Sequence, residues 1–317
     1  MFLQRDILAK VKSQVKKLLS PTPPQTPREL LKCREILHQR SQLELIKPVM
    51  VRPETSIVSI VIGSYNRRIL LEKAIESIRN NNIRVPYEII VIDGGSTDGA
   101  LEWLIEQKDL VTIVQHNRGE FRGQPIQRRS WGYFMNLGFK LAQGQYIVMI
   151  SDDCLLLPDA INLGLDKFLE MEQVNRKVGG VAFYFRNWPS EQEYYVQKSL
   201  GGKLAINHGM YLKEALAAVG WVEEKQYIFY KADSDLCLKM WLDGYEIVDC
   251  PGAFVEHYYD PSEVVRQSNN AVLDYDREIY LKRWENIYYH PHWQELRTKI
   301  TLDYQDPLRT AETNWQA

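Results

Sequence analysis

Near the middle of the chain, "YIVMISDDCLLLPDA" (146–160) sets two carboxylates, Asp152 and Asp153, side by side at the end of an apolar run. Adjacent like charges repel, so a site that keeps both ionised must bring a compensating partner to them. Polar clusters also follow two earlier apolar runs: "GSYNR" (63–67) and "DGGSTD" (93–98). Downstream, "YKADSDLCLKMWLDGY" (230–245) carries Asp233 and Asp235, and "FVEHYY" (254–259) carries His257. Other chemistries lack their motifs. The turn "IGSYNRR" holds one glycine and is no GxGxxG fingerprint, and GxxxxGK[ST], HExxH, GxSxG and an EF-hand loop are all missing. What remains is carboxylate chemistry.

The elements that must position these groups alternate. "SIVSIVI" (56–62), "YEIIVID" (87–93), "LVTIVQ" (110–115) and "QYIVMI" (145–150) read as strands. Between them, "RRILLEKAIESIRNN" (67–81), "TDGALEWLIEQ" (97–107) and "SWGYFMNLGFKLAQG" (130–144) read as helices. Such alternation predicts an α/β fold with an open, mostly parallel central sheet and helices on both faces. Ligands on such sheets bind beyond the carboxyl ends of the strands, where the polar clusters fall.

The chain has 317 residues, 45% apolar and 25% charged, with a net charge of −2, which excludes nucleic-acid binding through a global basic field. Cys33, Cys154, Cys237 and Cys250 form no CxxC pair and read as reduced thiols of a cytoplasmic protein. No apolar run approaches the ~20 residues that span a bilayer, and no signal peptide is evident. Residues 1–19 form a basic amphipathic helical pattern. It suits either packing on a domain or subunit or peripheral contact with the inner face of the membrane. "PTPPQTP" (21–27) is a stiff linker, so 1–50 reads as a helical N-terminal extension. The main domain is placed at 51–260, divided at 158/159, with a helical C-terminal extension over 261–317.

"VSIVIGSYNRRILLEKAIESI", "EIIVIDGGSTDG", "AQGQYIVMISDDCLLLPDAI" and "NHGMYLKEALAAVGWVEEKQYIFYKADSDLCLKMWLDGYEIVDCPGAFVEH" together resemble, in the right order, the inverting family-2 glycosyltransferases of the GT-A fold. The resemblance covers about residues 55–260. It implies transfer of one sugar from a nucleotide-diphosphate sugar, UDP-type favoured, to a hydroxyl acceptor on a glycan or lipid-linked sugar.

Site roles follow from the same resemblance. A sugar nucleotide leaves a diphosphate, which a divalent cation neutralises, and oxygen ligands suit Mn²⁺ or Mg²⁺. The family's acidic residue one position before the pair is Ser151 here, so Asp153 is assigned to the metal and Asp152 to the ribose side. His257 matches a histidine that closes the metal site. Asp233 matches the general base of a segment that usually reads Glu-Asp-x-Asp-Leu, with Ala232 replacing the glutamate. Asp235 reads as the cap of the following helix or as a group that orients the base. Tyr65 is expected to stack on the nucleotide base and Asp93 to accept from its ring N–H. The family often has a second aspartate where this chain has Gly94, which weakens the inference of uridine. Asp98 reads as a helix cap. Arg122, Arg128 and Arg129 read either as contacts to phosphate or an anionic acceptor or as a solvated charge run. The alternatives are a retaining transferase on the same fold and a non-catalytic subunit that binds sugar nucleotides or glycans.

Overall fold

The computed structural model describes residues 58–260, 264–289 and 299–302, so the expectations for the N-terminal helix and its linker lie outside the described residues. In chain order the elements begin with β1 (Val58–Ser64), α1 (Arg68–Arg79), β2 (Tyr87–Asp93), α2 (Ala100–Glu106) and β3 (Leu110–Val114). A small hairpin, β4 (Glu120–Phe121) and β5 (Gln124–Pro125), leads to α3 (Trp131–Leu141), β6 (Tyr146–Ser151) and β7 (Cys154–Leu156). Then come α4 (Ala160–Gln173), β8 (Val178–Trp188), β9 (Tyr194–Lys198), β10 (Leu204–Ala205), β11 (Gly209–Leu212) and α5 (Lys213–Ala218). The rest is α6 (Ala232–Leu242), β12 (Glu246–Tyr258), α7 (Val264–Asn270), α8 (Leu273–Arg283) and β13 (Lys299–Leu302).

Strands β3, β2, β1 and β6 lie in that spatial order and pair in parallel, as the alternating pattern predicts. Beyond β6 the sheet changes sense, because β11 runs antiparallel to both β6 and β8. The central strands are near-continuous apolar runs because both faces are covered. Val61, Ile90 and Ile92 pack with Phe134 and Phe139 of α3 on one face. Ile60, Ile62, Ile89 and Val91 pack with Leu71, Ile75 and Ile78 of α1 on the other. Gly138 lets α3 lie close: a Cβ there would fall 2.5 Å from Val61 Cγ1.

Register then decides what meets at the sheet's upper edge. Ser64 is paired with Asp93, and Gly63 with Ser151, so the three polar clusters begin at the same level. The 13-residue β12 serves two partners. It runs parallel to β8, shifts register between Cys250 and Phe254, and its second half pairs with β7, setting His257 opposite Cys154. That pairing delivers His257 to the residue next to Asp153.

The C-terminal segment differs from the purely helical extension expected. Among its described residues α7 and α8 are helices, but β13 adds an antiparallel strand to β9. Nor is it an appendage, since Tyr280 and Trp284 are buried in the main core. Asp276 of α8, fully buried, accepts the backbone N–H groups of Ile228, Phe229 and Tyr230 at 2.7, 2.8 and 2.7 Å. One carboxylate thus fixes the loop that enters α6. Replacing Asp276 by Ala strands three amide donors and should cost on the order of 3 kcal/mol, read as a lower urea midpoint; an unchanged midpoint would refute this anchoring role.

Candidate active site

A cavity of about 780 Å³ opens at the carboxyl ends of β1 and β6, lined by Tyr65, Asp152, Asp153, Asp233 and His257 among others. Five residues singled out from sequence therefore share one space. Asp152 and Asp153 are each only 3% exposed, so water cannot balance their charge. Arg67, at the end of the turn after β1, bridges both, its Nη1 donating to Asp152 Oδ1 at 3.0 Å and Asp153 Oδ2 at 2.9 Å. Arg266 of α7 donates to the same Asp153 oxygen at 2.9 Å. Ser64 Oγ donates to the other oxygen of Asp152 at 2.9 Å.

The two acids are driven apart in proton affinity. Burial, opposed by Arg67 and reinforced by the charge of Asp153, pushes Asp152 up to about 6. Burial also works to raise Asp153, but His257, Arg67 and Arg266 together hold it well below the usual carboxylate range. Asp153 is thus the permanently ionised member.

His257 Nε2 lies 3.6 Å from Asp153 Oδ2, while its Nδ1 is 2.7 Å from Asn187 Oδ1. An amide oxygen there accepts, which places a ring proton on Nδ1 and leaves Nε2 facing the carboxylate, where a second ring proton or a bound cation can join the two. Among the described residues no group of three or more His, Cys, Asp or Glu side chains is arranged to hold a metal ion. The donors that fit one are the Asp153 carboxylate and the His257 imidazole, a hard mixed O/N pair, with further ligands left to water or phosphate oxygens. Beneath them lies His208, buried against Cys154 Sγ at 3.6 Å and 5.4 Å, ring to ring, from His257. Burial, with the charge of His257, lowers His208 to about 3, so it packs as a neutral ring.

Asp233 occupies the first turn of α6, and its Oδ1 accepts from Ser234 N–H at 2.7 Å. Lys231, just before α6, has φ of 71°, a left-handed conformation rare for lysine that turns the chain sharply into the helix.

Three expectations need correction. Asp93 is 0% exposed, and its carboxylate is consumed by its own turn. Oδ1 accepts from Gly95 N and Ser96 N at 2.8 and 2.7 Å, and Oδ2 from Ser96 Oγ at 2.6 Å. Gly94, not Asp93, lines the cavity, so Asp93 organises the turn and does not face a base. Asp235 is not the helix cap, a place taken by Lys231. It lies inside the first turn of α6, fully buried. There it accepts from Tyr227 Oη, Trp284 Nε1 and Arg283 Nε at 3.0, 2.9 and 2.8 Å, bracing α6 from behind. Asp98 is not the N-cap of α2, which is Gly99, but stands just before it, its Oδ1 accepting from Ala100 N at 3.2 Å and its Oδ2 from Arg68 N of α1 at 2.8 Å.

Sequence reasoning missed Arg67, Arg266, Asn187 and His208. Arg67 was visible within "GSYNR", and the demand of two adjacent acids for a cation was the signal that could have found it. Of the arginines left open, Arg128 and Arg129 line the cavity.

Residues 59–212 match the family model described as Glycosyl transferase family 2. GalNAc(5)-diNAcBac-PP-undecaprenol beta-1,3-glucosyltransferase of Campylobacter jejuni is 30% identical over 147 residues, 46% of this chain and 42% of that protein. Chondroitin synthase of Escherichia coli is 29% identical over 161 residues, 48% of this chain and 22% of that protein. The chain thus spans less than half the length of these relatives. Among solved structures, the mannosyltransferase PcManGT of Pyrobaculum calidifontis, in complex with GDP-Man and Mn²⁺, aligns with a TM-score of 0.52 at 18% identity, covering 82% of this chain and 74% of that one. S. aureus TarS 1–349 in complex with UDP-GlcNAc aligns with a TM-score of 0.52 at 15% identity, covering 75% and 70%. At these identities the structural likeness establishes the fold, which is GT-A. The acid pair and the two other strand-end clusters lie inside the matched span, so residues 59–212 carry a glycosyl transferase family 2 region.

Proposed function

We propose that the protein transfers a single sugar from a nucleotide-diphosphate sugar to a hydroxyl acceptor, with inversion and with a divalent cation, Mn²⁺ or Mg²⁺, at Asp153 and His257. The observation that carries this reading is the placement of Asp233 in the same cavity as the acid pair. That arrangement pairs a carboxylate base with a site for a charged leaving group.

Tyr65 stacks on the base of the donor, and Asp152 lies on the ribose side of the pair. When bound, the cation supplies positive charge against the departing diphosphate. Arg67 and Arg266 already stand at that spot and add charge that needs no reorganisation. Asp233 removes the acceptor's hydroxyl proton as its oxygen bonds to the anomeric carbon and the bond to the diphosphate breaks. The acceptor is a glycan or lipid-linked sugar, and the protein acts at the cytoplasmic side of a membrane or free of it. No helix among the described residues is long and apolar enough to cross a membrane.

Replacing Asp233 by Asn should lower transfer by about 10²–10⁴-fold. Thermal stabilisation by a nucleoside diphosphate should persist, and wild-type turnover in this variant would remove Asp233 from the role of base. EDTA should abolish transfer and added Mn²⁺ restore it, whereas Asp153→Asn should respond weakly to Mn²⁺; full activity in EDTA would exclude the cation. NMR of the product's anomeric proton should show the configuration opposite to the donor's, and retention would favour a double displacement.

A further inference from the structure

A neutral imidazole carries its proton on one ring nitrogen or the other, and only one choice leaves the Nε2 of His257 open to a cation. Register sets Asn187 of β8 beside His257 of β12, with Asn187 Oδ1 2.7 Å from His257 Nδ1. Turned over, the same amide would present its NH₂ there and reverse the choice. Whatever holds the amide therefore decides the ring.

Asn187 Nδ2 points at two acceptors. It donates to Glu191 Oε2 at 2.8 Å and to Tyr195 Oη at 3.2 Å. The same Glu191 oxygen accepts the backbone N–H of Asn187 at 3.1 Å, and Glu191 N donates back to the Asn187 carbonyl at 2.7 Å. The carboxylate is thus tied to the residue it faces. Its other oxygen accepts from Lys299 Nζ of β13 at 3.0 Å, and that ammonium also lies 3.6 Å from the centre of the Tyr195 ring. Burial works to raise Glu191, but Lys299, the Asn187 backbone N–H and the Tyr195 hydroxyl outweigh it and hold the carboxyl below its ordinary value. An ionised carboxylate only accepts, so a flipped Asn187 amide would set oxygen against oxygen.

Without that constraint a neutral imidazole beside Asp153 would favour the opposite tautomer. An Nε2–H aimed at Asp153 Oδ2 makes a charge-assisted hydrogen bond, and it closes Nε2 to a cation. We infer that Glu191 is a positioning residue: by orienting Asn187 it selects the Nδ1–H form of His257 and reserves Nε2 for a divalent cation. Lys299 is the clamp that β13 places on Glu191. The inference rests on the proposed cation at Asp153 and His257.

The test uses the full chain with ¹⁵N-labelled histidine and no metal, the His257 signals being those lost in His257→Gln. At a pH where these signals no longer move, NMR should show the Nδ1–H form in the wild type and in Glu191→Gln, whose side-chain oxygen still accepts from Asn187. Glu191→Ala should show the Nε2–H form. By calorimetry, Mn²⁺ should bind Glu191→Ala about 10–100-fold more weakly than the wild type. Glu191→Gln should stay close to the wild type. An Nδ1–H ring in Glu191→Ala, or undiminished Mn²⁺ affinity there, overturns the inference. So does an equal loss of affinity in Glu191→Gln, which would mark an effect of charge and not of orientation. A wild-type chain that binds no Mn²⁺ overturns the cation reading and the reservation of Nε2 with it, while the metal-free spectra still decide whether Glu191 selects the tautomer.

Discussion

Two adjacent carboxylates buried at the edge of a sheet are the constraint on which the rest depends. At 3% exposure neither Asp152 nor Asp153 can rely on water, and their mutual repulsion grows as the medium becomes less polar. The compensation comes from both ends of the described chain. Arg67 stands just past the first strand, and Arg266 lies on α7, beyond His257. Closing the acid pair therefore requires the C-terminal segment to fold back over the sheet. The same segment carries Asn269, which holds Arg118 and Arg128, and Asp276, which fixes the loop before Asp233. A charge imbalance at one strand end thus organises elements far apart in sequence.

Much of the fold was legible because its determinants are local and periodic. The parallel core needed only alternating apolar runs, and the strand-end clusters marked the edge where ligands bind. Residue type and motif order pointed to Tyr65, Asp152, Asp153, Asp233 and His257, and these five line one cavity. The C-terminal segment was less legible. "KITL" is too short to announce a strand, and it becomes one by pairing with β9. "VVRQSNN" has no marked apolar face, and its value lies in what its polar side chains reach. Long-range pairing carries this information, and a local pattern cannot report it.

The errors at Asp93 and Asp235 share a cause. Sequence shows that a carboxylate is present but not whether its lone pairs are already committed. Asp93 stands at a strand end, as a binding residue should, yet three donors of its own turn fill it. Asp235 follows Asp233 by two positions, which rotates it about 200° around a helix and sends it into the core. There Tyr227, Trp284 and Arg283 all engage its Oδ1, and its Oδ2 is buried away from any ligand.

This suggests a physical distinction between structural and functional acids in one protein. Asp93 and Asp276 are held by backbone N–H groups, whose positions are fixed by the fold and which a ligand cannot displace without unfolding a turn. Asp152 and Asp153 are held chiefly by guanidinium groups on long side chains that line the cavity itself. Such partners can swing from carboxylate to phosphate with little backbone movement, because a guanidinium fork fits either oxyanion. A buried acid whose partners are mobile cations can exchange them for a substrate and its counter-ion. One whose partners are peptide groups has already done its work when the chain folds.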